Sequence, residues 1–311
     1  MGMVNIQVIE ELKPMLQNFN KLGFFLDFGE YIPSAATTGD NVYSLSMNLW
    51  QSQYALGKWA VNEFGPAGQL VMPIYEAGFN LNSSFTEGAA AAGSTGLNSF
   101  VLPQAYANNE QLNLAPFFEA LEKETPNFVH AIFSGKMANQ FLWQWRQSRF
   151  YDTVPLIVVE NMAYNEALFE VEDMNIKMYS ARSWHRDMQS KANKDFVKKF
   201  EDFGKQDANV FAMMGYEAGL ALAHMLPQLL KGDAAEAVYQ LNKKGIEGPR
   251  GLIGHQTMGI NAYHPIDIVK IQTTKPRTLQ TILASETAFG FDTTDVIENT
   301  QSGWLNPYIS V

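Results

Sequence analysis

Four short segments hold the side chains best suited to chemistry: Phe28-Gly29-Glu30-Tyr31, Tyr75-Glu76-Ala77-Gly78-Phe79, Ser134-Gly135-Lys136 and Glu160-Asn161-Met162. Each follows an apolar run that reads as a buried strand. Aromatic rings, small residues and a carboxylate converge there, a mixture suited to holding a small molecule. Glu160 ends a very apolar strand; it can solvate at a loop or receive a ligand ammonium or hydroxyl, and burial rules leave the two readings even. Lys136 begins a helix, where a surface position is the plain reading and pairing with Glu160 or a ligand carboxylate the sharper one. Phe79 and Phe211 can be ordinary core residues, and Trp50 and Tyr54 are expected to pack their helix onto a sheet.

Catalytic signatures are missing. Gly135-Lys136 lacks the earlier glycine and the following Ser/Thr of a P-loop, and no GxGxxG, GxSxG or HExxH motif occurs. Zero cysteines exclude thiol catalysis, disulfides and Cys-ligated metals. His130, His185, His224, His255 and His264 lack metal-ligand spacing, and His224 lies in an apolar helix as a packed or surface residue. Asp292, Asp295 and Glu298 lack the glycine of a calcium loop and read as a solvated face. Asn82-Ser83-Ser84 matches a glycosylation sequon too common to carry weight. No catalytic residue, metal or cofactor is expected.

The elements that must position these segments follow from the apolar pattern. Strands are expected over 22–26, 70–75, 98–102, 128–133, 154–159 and 266–272. Helices are expected near 8–19, 50–64, 82–92, 114–123, 137–147, 191–203, 210–231 and 234–244. Pro73 suggests an edge strand or a bulge, because it cannot donate to a ladder. The alternation up to about Ser183 predicts a parallel sheet with helices on both faces. Beyond it come consecutive helices, so the chain passes into another layer or lobe. In such sheets ligands bind beyond the carboxyl ends of the strands, where the four segments lie.

With 311 residues, 46% of them hydrophobic, the chain can form one large or two medium cores. Its net charge of −10, from 22 basic and 32 acidic residues, argues against nucleic acid and against anionic membrane surfaces. No apolar run reaches the roughly 18 residues of a membrane span. The first residues have neither a basic region nor an apolar region of a signal peptide.

In order along the chain, several pieces resemble the type I periplasmic solute-binding proteins of branched-chain amino-acid ABC transporters. They are Ile32-Pro33, Val42-Tyr43-Ser44-Leu45-Ser46, the turn Tyr75-Glu76-Ala77-Gly78-Phe79, and Ala91-Ala92-Gly93. Pro126-Asn127-Phe128-Val129 with Ser134-Gly135-Lys136, Phe196-Val197-Lys198-Lys199-Phe200, Gly215-Tyr216-Glu217-Ala218 and Gly248-Pro249-Arg250-Gly251 follow. Each piece is weak alone; their order and spacing over about residues 5–272 make the combination specific.

The resemblance implies an α/β fold of two doubly wound parallel-sheet lobes joined by three crossovers, near 46–48, 180–182 and 269–271. Lobe one would comprise residues 1–47 and 182–268, and lobe two residues 48–181 with 269–311. The family begins with a strand–helix–strand–helix segment that has no counterpart here, so lobe one is expected to be truncated, or completed by another segment or chain. If it is complete as it stands, it should expose strand edges and oligomerise. The implied site comprises Gly29, Glu30, Tyr31 and Phe211 from lobe one, with Tyr75, Phe79, Ser134, Lys136 and Glu160 from lobe two. Ala35-Ala36-Thr37 resembles a family motif in letters but fits less well by loop length. Glu30 stands where the family has small or hydroxyl residues, which disfavours an α-carboxylate there unless Lys136 or another cation compensates. The implied role is periplasmic or extracellular capture of an amino acid or related organic acid for an ABC permease. A sensor signalling to a kinase on the same fold, and an enzyme with an atypical site, are the rival readings.

Overall fold

The computed structural model describes residues 1–4, 6–33, 39–107, 111–254, 266–275 and 278–286. Ala35-Ala36-Thr37, His255, His264, Asp292, Asp295 and Glu298 lie outside them. The described residues form two compact units: unit one from residues 1–48 and 183–254, unit two from residues 49–182 and 266–286.

Unit one opens with β1 (Gly2–Met3), α1 (Ile6–Asn18), β2 (Gly23–Asp27) and β3 (Val42–Ser46). The chain then builds unit two from α2 (Leu49–Phe64), β4 (Gly68–Pro73), α3 (Leu81–Ala91), β5 (Asn98–Leu102), α4 (Ala115–Lys123) and β6 (Phe128–Ala131). It continues with α5 (Gly135–Gln147), β7 (Leu156–Val158), two 3-10 turns and β8 (Lys177–Arg182). Unit one resumes with α6 (Lys191–Gly204), α7 (Val210–Leu229), α8 (Ala234–Lys244) and the antiparallel pair β9 (Ile246–Gly248) and β10 (Gly251–Ile253). Unit two receives β11 (Ile266–Gln272) and β12 (Leu279–Glu286).

In unit one β1, β2 and β3 form a parallel sheet in that order. Successive residues of a strand face opposite sides. Phe24 accordingly packs with Tyr43 and Leu45 against Ala218, Ala221 and Leu241 of α7 and α8. Phe25 instead packs with Val42 against Ile9 of α1. Helices α6, α7 and α8 start where Ser190, Asn209 and Asp233 accept backbone N–H groups of Asn193, Ala212 and Glu236, which satisfies otherwise orphaned donors.

Unit two has the sheet order β12-β11-β8-β7-β6-β4-β5. From β5 to β8 the pairing is parallel, as the alternating pattern predicts. Two departures stand out. First, β11 lies antiparallel to β8 and to β12, so the sheet is mixed at that end. Second, β4 is an interior strand, where Pro73 suggested an edge strand or a bulge. The proline is tolerated because pairing with β6 ends at Val71, leaving Pro73 opposite Leu102 of β5 alone. The core is rich in large rings, with Phe85, Phe117, Phe128, Phe133, Phe141 and Trp145 fully buried. Trp50 and Tyr54 are buried on α2.

Candidate functional site

The order β5-β4-β6 contains a reversal. The chain leaves β4 for β5 on one side and returns to β6 on the other, so the connections after β4 and β6 diverge and open a crevice at the carboxyl ends. The turn after β4 is folded by Glu76 N–H donating to Pro73 O (3.0 Å) and Phe79 N–H donating to Glu76 O (3.2 Å). It leaves Tyr75 exposed and Phe79 half-buried, and turns Glu76 inward to 6% exposure. Across the crevice the Ser134 hydroxyl donates to Glu76 Oε1. Burial holds the Glu76 carboxyl above the usual carboxylate range, and the Ser134 hydrogen bond partly opposes that rise.

Ser134 is also the residue before α5, where a serine ordinarily accepts a backbone N–H of the first turn. Here it makes no such cap bond. Its hydroxyl serves Glu76 instead. Lys136, one turn-position further on, is exposed and makes no ion pair among the described residues, so the pairing with Glu160 raised by the sequence is not formed.

Glu160 follows β7 at the start of the 3-10 turn Glu160–Ala163 and is fully buried. Its cationic neighbour is Arg182, at the end of β8. That guanidinium donates to Ala163 O and lies over the Tyr164 ring, 5.4 Å from its centroid. Burial lowers the Arg182 pKa, while the charge of Glu160 raises it.

Unit one carries its polar groups at the carboxyl ends of β2 and β3. Gly29 has φ +72° and passes so close to the chain that an added Cβ would sit 2.5 Å from Asn48 Cα, which only glycine avoids. Beneath it Ser46 Oγ donates to Asp27 Oδ1 at 2.5 Å and accepts Asn48 N–H at 3.0 Å. Burial raises the Asp27 pKa, opposed by hydrogen bonds from Ser46 and Gly29 and by the charge of Arg250. Arg250 binds Glu217 Oε2 through Nε (3.0 Å) and Nη2 (2.7 Å), and its Nη1 donates to Ser46 O at 3.0 Å.

The same end holds Glu30, half-buried, and Tyr31, whose phenol is pushed up by burial and then by Glu30. Phe211, at the start of α7, meets Phe28 edge-on with centroids 5.8 Å apart, which brings it beside the Gly29–Tyr31 turn. It remains 52% exposed, unlike a core phenylalanine. Thus unit one assembles Gly29, Glu30, Tyr31 and Phe211, while unit two assembles Tyr75, Phe79 and Ser134 around Glu76.

Sequence reasoning missed Glu76, Asp27, Arg182 and the Arg250–Glu217 pair as members of these clusters. Glu76 and Arg250 each stood inside a motif of interest, but which neighbour they meet depends on strands remote in sequence. Among the described residues no group of three or more His, Asp or Glu side chains is placed to hold a metal ion, and no helix is long and apolar enough to cross a membrane.

The sequence matches the family described as "Periplasmic binding protein" over residues 1–276. No curated protein matches it. Among solved structures it is similar to an ABC transporter substrate-binding protein from Sphaerobacter thermophilus, at 16% identity and TM-score 0.78, covering 93% of this chain and 79% of that one. A solute-binding protein of an ABC transporter from Rhodopseudomonas palustris, in complex with 3,4-dihydroxybenzoic acid, aligns at 17% identity and TM-score 0.72, covering 92% and 78%. An ABC-type branched-chain amino acid transporter protein from the same species aligns at 14% identity and TM-score 0.71, covering 93% and 76%.

Proposed function

The chain belongs to the periplasmic binding protein family, and from that premise we propose that it is the solute-binding component of an ABC importer, capturing an amino acid or a related organic acid outside the cytoplasm. Its family and structural neighbours are solute-binding proteins, not enzymes. The observation that carries the reading is the crevice of unit two. There the reversal of strand order coincides with a buried carboxyl, Glu76, held by the hydroxyl of exposed Ser134 beside the rings of Tyr75 and Phe79. Few polar groups beside aromatic rings suit the binding of a small molecule.

The ligand-binding residues assigned by this proposal are Tyr75, Phe79, Ser134, Lys136 and Glu160 of unit two, with Gly29, Glu30, Tyr31 and Phe211 of unit one. A membrane permease is the proposed recipient of the ligand. Similarity to structures that carry an aromatic acid or belong to amino-acid transport supports both compound classes. The test is a thermal-shift screen of the common amino acids, dicarboxylates, benzoate and hydroxybenzoates. At least one compound should raise the melting temperature in a saturable way and be recovered chemically unchanged. No shift with any of them, or turnover of the bound compound, would overturn the proposal.

A further inference from the structure

We propose that Glu76 sets ligand specificity by receiving the ammonium group of a small amine-bearing ligand. The inference rests on the solute-binding reading above and adds a residue and a ligand class to it. Three observations converge on this carboxyl. It lies at the reversal between β4 and β6, where the sheet opens, yet is only 6% exposed. It makes no ion pair among the described residues, and Ser134 is its hydrogen-bonding side chain. Ser134 in turn gives up the helix cap its position favours in order to orient it.

A carboxylate withdrawn from water without a cation is costly, so it must carry a proton or meet a positive charge. The charged groups on neighbouring elements do not meet that need. Lys136 on α5 is exposed and unpaired, Glu87 on α3 and Glu160 after β7 carry the same sign, and the buried cation Arg182 responds to Glu160. Desolvation accordingly raises the Glu76 pKa. An arriving ammonium supplies the missing positive charge, at a pH below that pKa the carboxyl proton passes to the buffer, and Ser134 continues to donate to Oε1. Binding of an amine should therefore strengthen as pH rises through the Glu76 pKa, whereas an amine-free acid gains nothing from ionised Glu76.

The test is calorimetry on the whole chain with the twenty common amino acids, and with benzoate and 4-hydroxybenzoate as amine-free probes. An amino acid should bind with up to one proton released, read from buffers of differing ionisation enthalpy. Its affinity should rise about tenfold per pH unit below the carboxyl's pKa. Glu76→Gln, which keeps an acceptor for Ser134, should weaken that amino acid by at least about 30-fold and abolish proton release. Amino-acid binding without proton release at pH 4.5, the ordinary value above which burial lifts this carboxyl, or with unchanged affinity in Glu76→Gln, overturns the inference. Binding of benzoates alone also overturns it but leaves solute capture standing; binding of no probe removes both. Should Glu76→Gln fail to fold by circular dichroism, proton release by the unaltered protein decides.

Discussion

Arg250 and Glu217 are almost wholly withdrawn from water, with side-chain exposures of 1% and 0%. Such a pair is secure only because the geometry is two-pronged and because Arg250 also spends a donor on Ser46 O. Removing one partner strands a buried charge, so Arg250→Met should cost about 3–5 kcal/mol in urea denaturation. The double change Arg250→Met with Glu217→Met should recover much of that loss; a double variant as unstable as the single one would show that packing, not charge, dominates. His130 offers a second test at this scale. It is fully buried, stacked on Phe85 at 3.9 Å and bonded through Nε2 to Gln53 Oε1 at 2.6 Å. Burial pushes its pKa down to about 3 from 6.5. The unfolded chain therefore takes up a proton below pH 6.5 that the native state refuses, and stability is lost as pH falls. Between pH 6.5 and 5 this group alone removes about 2 kcal/mol, a loss that His130→Gln should abolish in paired denaturation curves. The raised carboxyls Asp27 and Glu76 act in the opposite sense, because their native forms hold protons more tightly. Comparing the variant with the parent cancels their contribution.

At the scale of elements, the closest packing is between α2 and α3. A Cβ on Gly57 would lie 2.1 Å from Phe85 O, and one on Gly88 would lie 2.0 Å from Tyr54 O. Alanine gains about 1 kcal/mol over glycine in a helix, but here the obstacle is backbone, which cannot swing aside as a side chain can. Gly57→Ala and Gly88→Ala should each lower stability by about 1–3 kcal/mol. Gly215 and Gly219 on α7 are exposed, with nothing within 4 Å of an added Cβ. Alanine there should stabilise by up to about 1 kcal/mol, so denaturant midpoints should move in opposite directions for the two helix sets. The same contrast shows what was legible. Helices α6 and α8 follow from the apolar pattern of their residues, and the apolar runs of β6 and β7 mark strands. β8, whose Lys177-Met178-Tyr179-Ser180-Ala181-Arg182 mixes residue types, was not expected. It is made a strand by pairing with β7 and β11, a contribution no local pattern contains. Likewise β12 owes its place to a ladder with β11.

For the whole molecule, the consequence of solute capture is thermodynamic linkage. A ligand that binds only the native protein adds about 2.7 kcal/mol at a hundredfold excess over its dissociation constant. A compound found in the screen should therefore raise the melting temperature progressively with concentration, and the rise should be smaller at equal concentration in any variant that weakens binding. For an amino acid, Glu76→Gln should shrink the shift at pH 8. A shift equal to that of the parent at every concentration would detach Glu76 from recognition. The net charge of −10 belongs to this scale as well: it favours solubility, and it does not select the ligand, which meets individual buried groups rather than a mean field.

By itself the sequence determined the local and periodic properties of this protein. Apolar runs, helix spacing and the order of short motifs carried the α/β class, the family resemblance and the segments that end the strands, because each is written in residues near one another along the chain. Strand order was decided only in three dimensions. Placing β4 between β5 and β6 makes Pro73 an interior strand end, creates the reversal at the carboxyl edge, and sets Ser134 against Glu76 across 58 residues. Burial was decided there too. Glu160 lies wholly inside with Arg182 as its cationic neighbour, and Glu76, unremarked within its turn, becomes a buried carboxyl with no ion pair among the described residues. A side chain's desolvation and its partners are properties of surfaces brought together by folding, and no reading along one dimension supplies them.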